Sequence, residues 1–96
     1  MEFNVNDEFK SRKLKIENEY GIHARPAALI VKEAARYTAE LYIEKNGNKV
    51  SCKSIMGLMT IEGFPGSWVT ITAKGSDAED ALNSLEALFA AKFNEV

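Results

Sequence analysis

One cysteine, one histidine and two prolines are all that 96 positions hold of those residue types, and each scarcity closes off a class of protein. Cys52 has no partner for an internal disulfide, and a single histidine beside it falls short of the Cys/His set of a zinc cage. Neither a metal nor a cofactor is expected, so stability has to come from packing. Long apolar runs are missing too: the longest, residues 26–31, is far too short to cross a bilayer. The opening Met-Glu-Phe-Asn-Val-Asn-Asp-Glu has no basic start leading into an apolar stretch, so it does not read as a secretory signal and a cytoplasmic setting is expected. Positive charge is not in excess either. A formal charge of -2 speaks against general nucleic-acid binding, which depends on basic surface to displace phosphate counterions.

What is present is ordinary globular material, with 46% hydrophobic and 27% charged residues in a length that suits one modest core. Residues 1–10 show no clean period and read as an N-terminal arm, leaving 11–96 as a single domain. Over residues 12–17, Leu14 and Ile16 alternate with Lys13, Lys15 and Glu17, the pattern of a strand with one buried face. The period then lengthens. Ala27, Ile30, Val31 and Ala34 form an apolar stripe on a helix that starts at Ala24 and is expected to end near Tyr37, with Pro26 in its first turn, where no amide hydrogen is needed.

Alternation returns at Ala39, Leu41 and Ile43, and Asn46-Gly47 supplies residues that tolerate a tight hairpin before a returning strand at 49–52. Ser54 opens a brief helix over residues 55–61. Beyond the breakers Gly63, Pro65 and Gly66, Val69, Ile71 and Ala73 share one face of a fourth strand. Ser-Asp-Ala-Glu at 76–79 has capping-box spacing, which predicts reciprocal bonds between Ser76 and Glu79 at the start of the last helix. That helix carries the stripe Ala78, Leu82, Leu85, Phe89 and Phe93. The order is β-α-β-β-α-β-α, an α+β class in which three helices cover one face of a sheet.

Gly21-Ile22-His23-Ala24-Arg25-Pro26 falls where the first strand gives way to the first helix. His23 therefore stands at the helix amino end, where free amides and the helix dipole favour a bound dianion, and Arg25 is close enough to add charge-assisted bonds. Neutral imidazole is a competent nucleophile near neutral pH, so nucleophile and anion site coincide. The plainer alternative makes His23 a half-exposed capping residue and Arg25 a solvated charge. Ser54, preceded by Lys53, reads most simply as the N-cap of the short helix; a phosphate there would still face a helix amino end. Ile55, Met56 and Met59 are core candidates. A helix under two turns cannot bury every side, however, so together with Ala28 and Leu29, and with Lys32 beside them, they are docking candidates next to His23. Cys52 is expected in the core, and Trp68 on the opposite, exposed register.

Two segments carry a family resemblance. Gly21-Ile22-His23-Ala24-Arg25-Pro26-Ala27 is similar to the active-site segment of HPr, the histidine-containing phosphocarrier of the bacterial sugar phosphotransferase system, and Lys53-Ser54-Ile55-Met56-Gly57-Leu58-Met59 is similar to its regulatory serine segment. The resemblance runs from about Arg12 onward, and it implies an open-faced β-sandwich of four antiparallel strands and three helices. It also implies that His23 is phosphorylated on Nδ1 by enzyme I, ultimately from phosphoenolpyruvate, with Arg25 steadying the phosphate. The acceptors implied are sugar-specific enzyme IIA domains. Ser54 would be the target of an HPr kinase/phosphorylase, the modified form binding a catabolite-control transcription regulator, and a monomer is expected.

Tyr20, Glu62, Phe64 and Trp68 depart from the family pattern, Glu62 standing where glycine is common. Two other readings compete with the carrier, which would pass phosphate on rather than act as a stand-alone enzyme. One is a regulatory binding module acting mainly through phospho-Ser54; the other is a plain α+β domain without transfer chemistry, which leaves the paired motifs unexplained.

Overall fold

Lys13 and Lys15 flanking Leu14 make the end of the first strand, because each lysine can reach water while the apolar residue turns inward, and Ile16 is buried just beyond it. In the computed structural model, which describes residues 8–95, β1 spans Lys10–Lys15. Seven of the ten residues read as an arm lie outside the described residues, and Lys10 belongs to β1. The remaining elements are α1 (Ala24–Ala34), β2 (Glu40–Lys45), β3 (Asn48–Ser51), α2 (Ile55–Met59), β4 (Trp68–Lys74) and α3 (Ala78–Ala90).

The four strands form one antiparallel sheet in the order β1-β4-β2-β3. Opposed residues share a face, so Leu14 with Val69, and Leu41 with Ala73, point to the helices and are buried. The other face carries Lys15 opposite Trp68 and Tyr42 opposite Thr72. Trp68 is half exposed as expected, with the Lys13 and Lys15 ammonium groups 5.7 and 6.0 Å from its ring centre. The architecture is the open-faced sandwich with three helices. Cys52 is fully buried just beyond β3, donating its N–H to the Leu41 carbonyl at 2.9 Å, and burial pushes its thiol up to about 12.

Several boundaries differ from the pattern read in the sequence: β1 runs over Lys10–Lys15 and not 12–17, β3 over Asn48–Ser51 and not 49–52, and α2 ends at Met59 and not at 61. Helix α1 stops at Ala34, and the chain reaches Tyr37 through tighter turns in which Arg36 and Tyr37 donate to Glu33 and Ala34. Val31 is accordingly only half-buried. Helix α3 stops at Ala90, before Phe93; Lys92, Phe93 and Asn94 all adopt positive φ, and Phe93 is buried by this reversal, its ring 4.9 Å from that of Phe89. The predicted capping box is absent. Asp77 is the N-cap residue, and Glu79 is drawn instead to Arg12 at 2.9 Å and Lys10 at 3.5 Å. Arg12 also reaches Asn83 at 2.7 Å and Glu86 at 3.0 Å, fastening β1 to α3.

Asp77 serves another element. Its two carboxylate oxygens accept the Thr38 and Ala39 amides, each at 2.8 Å, which fixes the chain entering β2. The Thr38 amide, as the largest influence, holds its carboxyl below the usual aspartate range, although partial burial opposes this. A lowered folded-state value stabilises the fold above the unfolded value, and the contribution is lost as pH falls through the folded one. Asp77→Asn is therefore expected to lower the urea midpoint at neutral pH, with the two proteins converging below the ordinary carboxylate range. A gap that stays constant with pH would refute this.

Candidate functional site

The site begins with a steric requirement in the turn between β1 and α1. Gly21 has φ of +66°, and a Cβ there would lie 2.1 Å from the Gly63 carbonyl oxygen. No side chain fits. The close approach lets the Ile22 amide donate to that same oxygen at 2.8 Å, so Ile22 is pinned inward and the next residue is thrown out to the helix start. Asn18, 1% exposed, ties the turn from within by donating to the Gly21 carbonyl at 2.7 Å.

His23 is the N-cap residue of α1, with extended backbone, and its carbonyl accepts the Ala27 amide at 2.9 Å. Its side chain makes no capping bond, which leaves the imidazole available for other work. The ring is 42% exposed, yet Nε2 is buried and lies 3.5 Å from Glu95 Oε2. The accessible surface therefore belongs to the other ring atoms. Tyr20 stands edge-on to the imidazole at 6.2 Å and is itself largely exposed. Pro26 is buried in the first turn of α1, and Arg25 is exposed beside it.

His23 and Arg25 line one open cleft of about 370 Å³ together with Glu19, Tyr20, Asn94 and Glu95. The helix amino end and Arg25 make the cleft receptive to an anion, and the partly exposed His23 side chain lines the same space. Residues 10–91 match the family described as the PTS HPr component phosphorylation site. The chain belongs to the HPr family.

Among solved structures, HPr-C-His from Thermoanaerobacter tengcongensis superimposes with a TM-score of 0.87 at 40% identity, covering 91% of this chain and 98% of that one. The HPr-like protein Crh of Bacillus subtilis is 46% identical over 76 residues, 79% of this chain and 89% of Crh. A crystal structure of B. subtilis Crh, described as revealing a swapping domain in a dimer, gives a TM-score of 0.68 at 44% identity and covers 88% of this chain and 94% of that one.

Other residues singled out in this HPr-family chain fall as follows. Ser54 caps α2, its hydroxyl oxygen accepting the Gly57 amide at 3.0 Å. Lys53 points elsewhere, donating to the Tyr37 carbonyl at 2.9 Å, so it is engaged away from the Ser54 hydroxyl. Ile55, Met56 and Met59 are exposed, Met56 by 81%, while Leu58 alone of that helix is buried. Ala28 and Lys32 are exposed on α1, and Leu29 packs partly against the core, so it offers less surface than its neighbours. Asn18, Asn94 and Glu95 gave no signal in the sequence. Asn94 and Glu95 line the cleft and Asn18, outside its lining, bonds Glu95; tertiary geometry brings them there, and no local periodicity marks them.

Gly21→Ala tests the turn. A side chain forced into the left-handed region and against a backbone oxygen is expected to cost about 3–4 kcal/mol, read as a drop in urea stability. A loss under about 1 kcal/mol would show that the turn relaxes readily and does not fix His23.

Proposed function

We propose that this HPr-family chain carries a phosphoryl group on Nδ1 of His23, accepting it from enzyme I and ultimately from phosphoenolpyruvate, and delivering it to sugar-specific enzyme IIA domains. The reading is carried by one observation: His23 caps α1 at an open cleft with Nε2 turned inward, so an incoming phosphoryl group would meet the opposite edge of the ring. Nδ1 lies on that edge. Arg25, on the rim, steadies the phosphate by charge-assisted bonds, and the amino end of α1 adds its dipole. Ala28, Leu29, Lys32, Ile55, Met56 and Met59 form the docking surface, supported by the exposure of most of them. The cytoplasm is the setting in which such partners would be met, and among the described residues no helix is long and apolar enough to cross a membrane.

Purified protein incubated with enzyme I and phosphoenolpyruvate is expected to gain one phosphoryl group, acid-labile as a phosphoramidate is. His23→Ala is expected to abolish the gain. Labelling that survives this substitution would show that the acceptor is another residue.

A regulatory role through Ser54 is the second reading, favoured by the identity to Crh, described in its crystal structure as a catabolite repression protein. His23 in the cleft weighs for the carrier, and both can hold in one chain. Phosphate on Ser54 would add nearly two negative charges beside exposed Ile55 and Met56, which would repel an acidic partner and raise its desolvation cost. With ATP and an HPr kinase/phosphorylase, the chain is expected to gain an acid-stable phosphate that Ser54→Ala removes. No mass gain, or a gain indifferent to that substitution, would exclude the regulatory site.

A further inference from the structure

Two facts about the far end of the chain remain without a role in the carrier as described. The three consecutive non-glycine residues Lys92, Phe93 and Asn94 have φ of 54°, 55° and 58°, a conformation that L-residues resist. Their effect is to reverse the chain after α3 and return Glu95 to the β1–α1 turn, with fully buried Phe93 as the anchor. The second fact is Asn18. Its buried Nδ2 donates at 2.7 Å to the Gly21 carbonyl, in the turn that presents His23, and at 2.6 Å to Glu95 Oε2. One amide group thus braces the histidine turn and the carboxylate together. The Glu95 side chain, only 18% exposed, is held with that same oxygen 3.5 Å from His23 Nε2.

From this geometry we infer that Glu95 is a positioning residue for His23: it orients the imidazole through Nε2–H and balances the charge that the ring acquires on phosphorylation. The inference rests on His23 being the phosphoryl acceptor. For Nδ1 to attack, its lone pair must be free, so the ring proton resides on Nε2. Buried Nε2 has no hydrogen-bond partner within ordinary reach, and the Glu95 carboxylate is the acceptor facing it. Separations of this kind commonly shorten in the reacting complex.

The transfer balances without moving a proton. The Nδ1 lone pair forms the new N–P bond, the donor's bond to phosphorus breaks, and its electron pair leaves with the donor. The Nε2 proton stays, so the phosphorylated ring is an imidazolium facing a carboxylate. A ring so matched is oriented for attack and steadied afterwards, as imidazoles are by carboxylates that bond their second nitrogen.

The full chain and its Glu95→Ala and Glu95→Gln variants separate this from a packing role. The first measurement is the ¹⁵N NMR spectrum of His23, which needs no phosphoryl donor. Glu95→Ala is expected to shift the Nε2 resonance and the tautomer ratio, and Glu95→Gln, which keeps an acceptor oxygen, to restore most of both. The second is the rate of phosphoryl acceptance from enzyme I and phosphoenolpyruvate. It is expected to fall about tenfold in Glu95→Ala and less in Glu95→Gln, with urea stability compared in parallel. His23 nitrogen signals identical in all three proteins would overturn the proposal, as would an unchanged acceptance rate in Glu95→Ala. A wild-type chain that takes no label would sink the carrier reading instead, and the NMR comparison would still decide whether Glu95 orients the ring.

Discussion

A contact between two backbone segments, Gly21 against the carbonyl of Gly63, governs the placement of everything around the cleft. At that separation there is no room for a Cβ, and the positive φ of Gly21 is open to glycine at little cost. The Ile22 amide bonds the same carbonyl, so the segment leading out of β1 is tied to the loop that precedes β4. This tie makes the amino end of α1 a fixed feature of the sheet edge. His23 inherits its position from that arrangement and needs no capping bond of its own.

The same economy appears around α3, where side chains bridge elements that the local sequence would have kept to themselves. Asp77 stands at the start of α3 yet bonds the amides leading into β2, and Glu79 leaves its own helix turn for Arg12 on β1. Each bridge joins segments far apart in the chain. Helix α3 is thereby locked to the strands on both sides, which matters because its far end begins the reversal that returns Glu95 to the cleft. Exposed ion pairs of this kind contribute little singly. Arg12, only 25% exposed and engaging three partners at once, is the exception in which geometry is shared among several bonds.

Most of the scaffold was legible because it rests on periodicity. The alternation in β1, β2 and β4 and the stripe of α1 follow from burying one face, and Ser54 as the cap of α2 follows from amide chemistry that acts over a few residues. What was not legible depends on competition between distant groups. Ser76 and Glu79 have the right spacing for a box, but spacing does not reveal that Arg12 is opposite Glu79. Phe93 keeps the stripe of α3 while the backbone reverses, so an apolar residue in register was buried by a different route. Glu62, noted as a departure from glycine, adopts positive φ, at 56°, a conformation open to glycine at little cost. His23 and Arg25 were singled out by their motif, and both line the one cleft. Asn94 and Glu95 beside them, and Asn18 that bonds Glu95, were not, since nothing in their neighbourhoods distinguishes them from surface residues.

The cleft that results is of mixed sign, and this bears on what it can do with an anion. Arg25 and the amino end of α1 attract phosphate, whereas Glu19 and Glu95 line the same space and oppose it. A site built to retain phosphate would be expected to multiply donors and exclude carboxylates. A carrier has the contrary requirement: binding its load tightly would deepen the intermediate and slow the second transfer as much as it favoured the first. On the proposed reading, carboxylates at the margin would keep the phosphoryl group from settling, and Glu95 at the inner ring nitrogen would stabilise the charged imidazole from the far side of the ring.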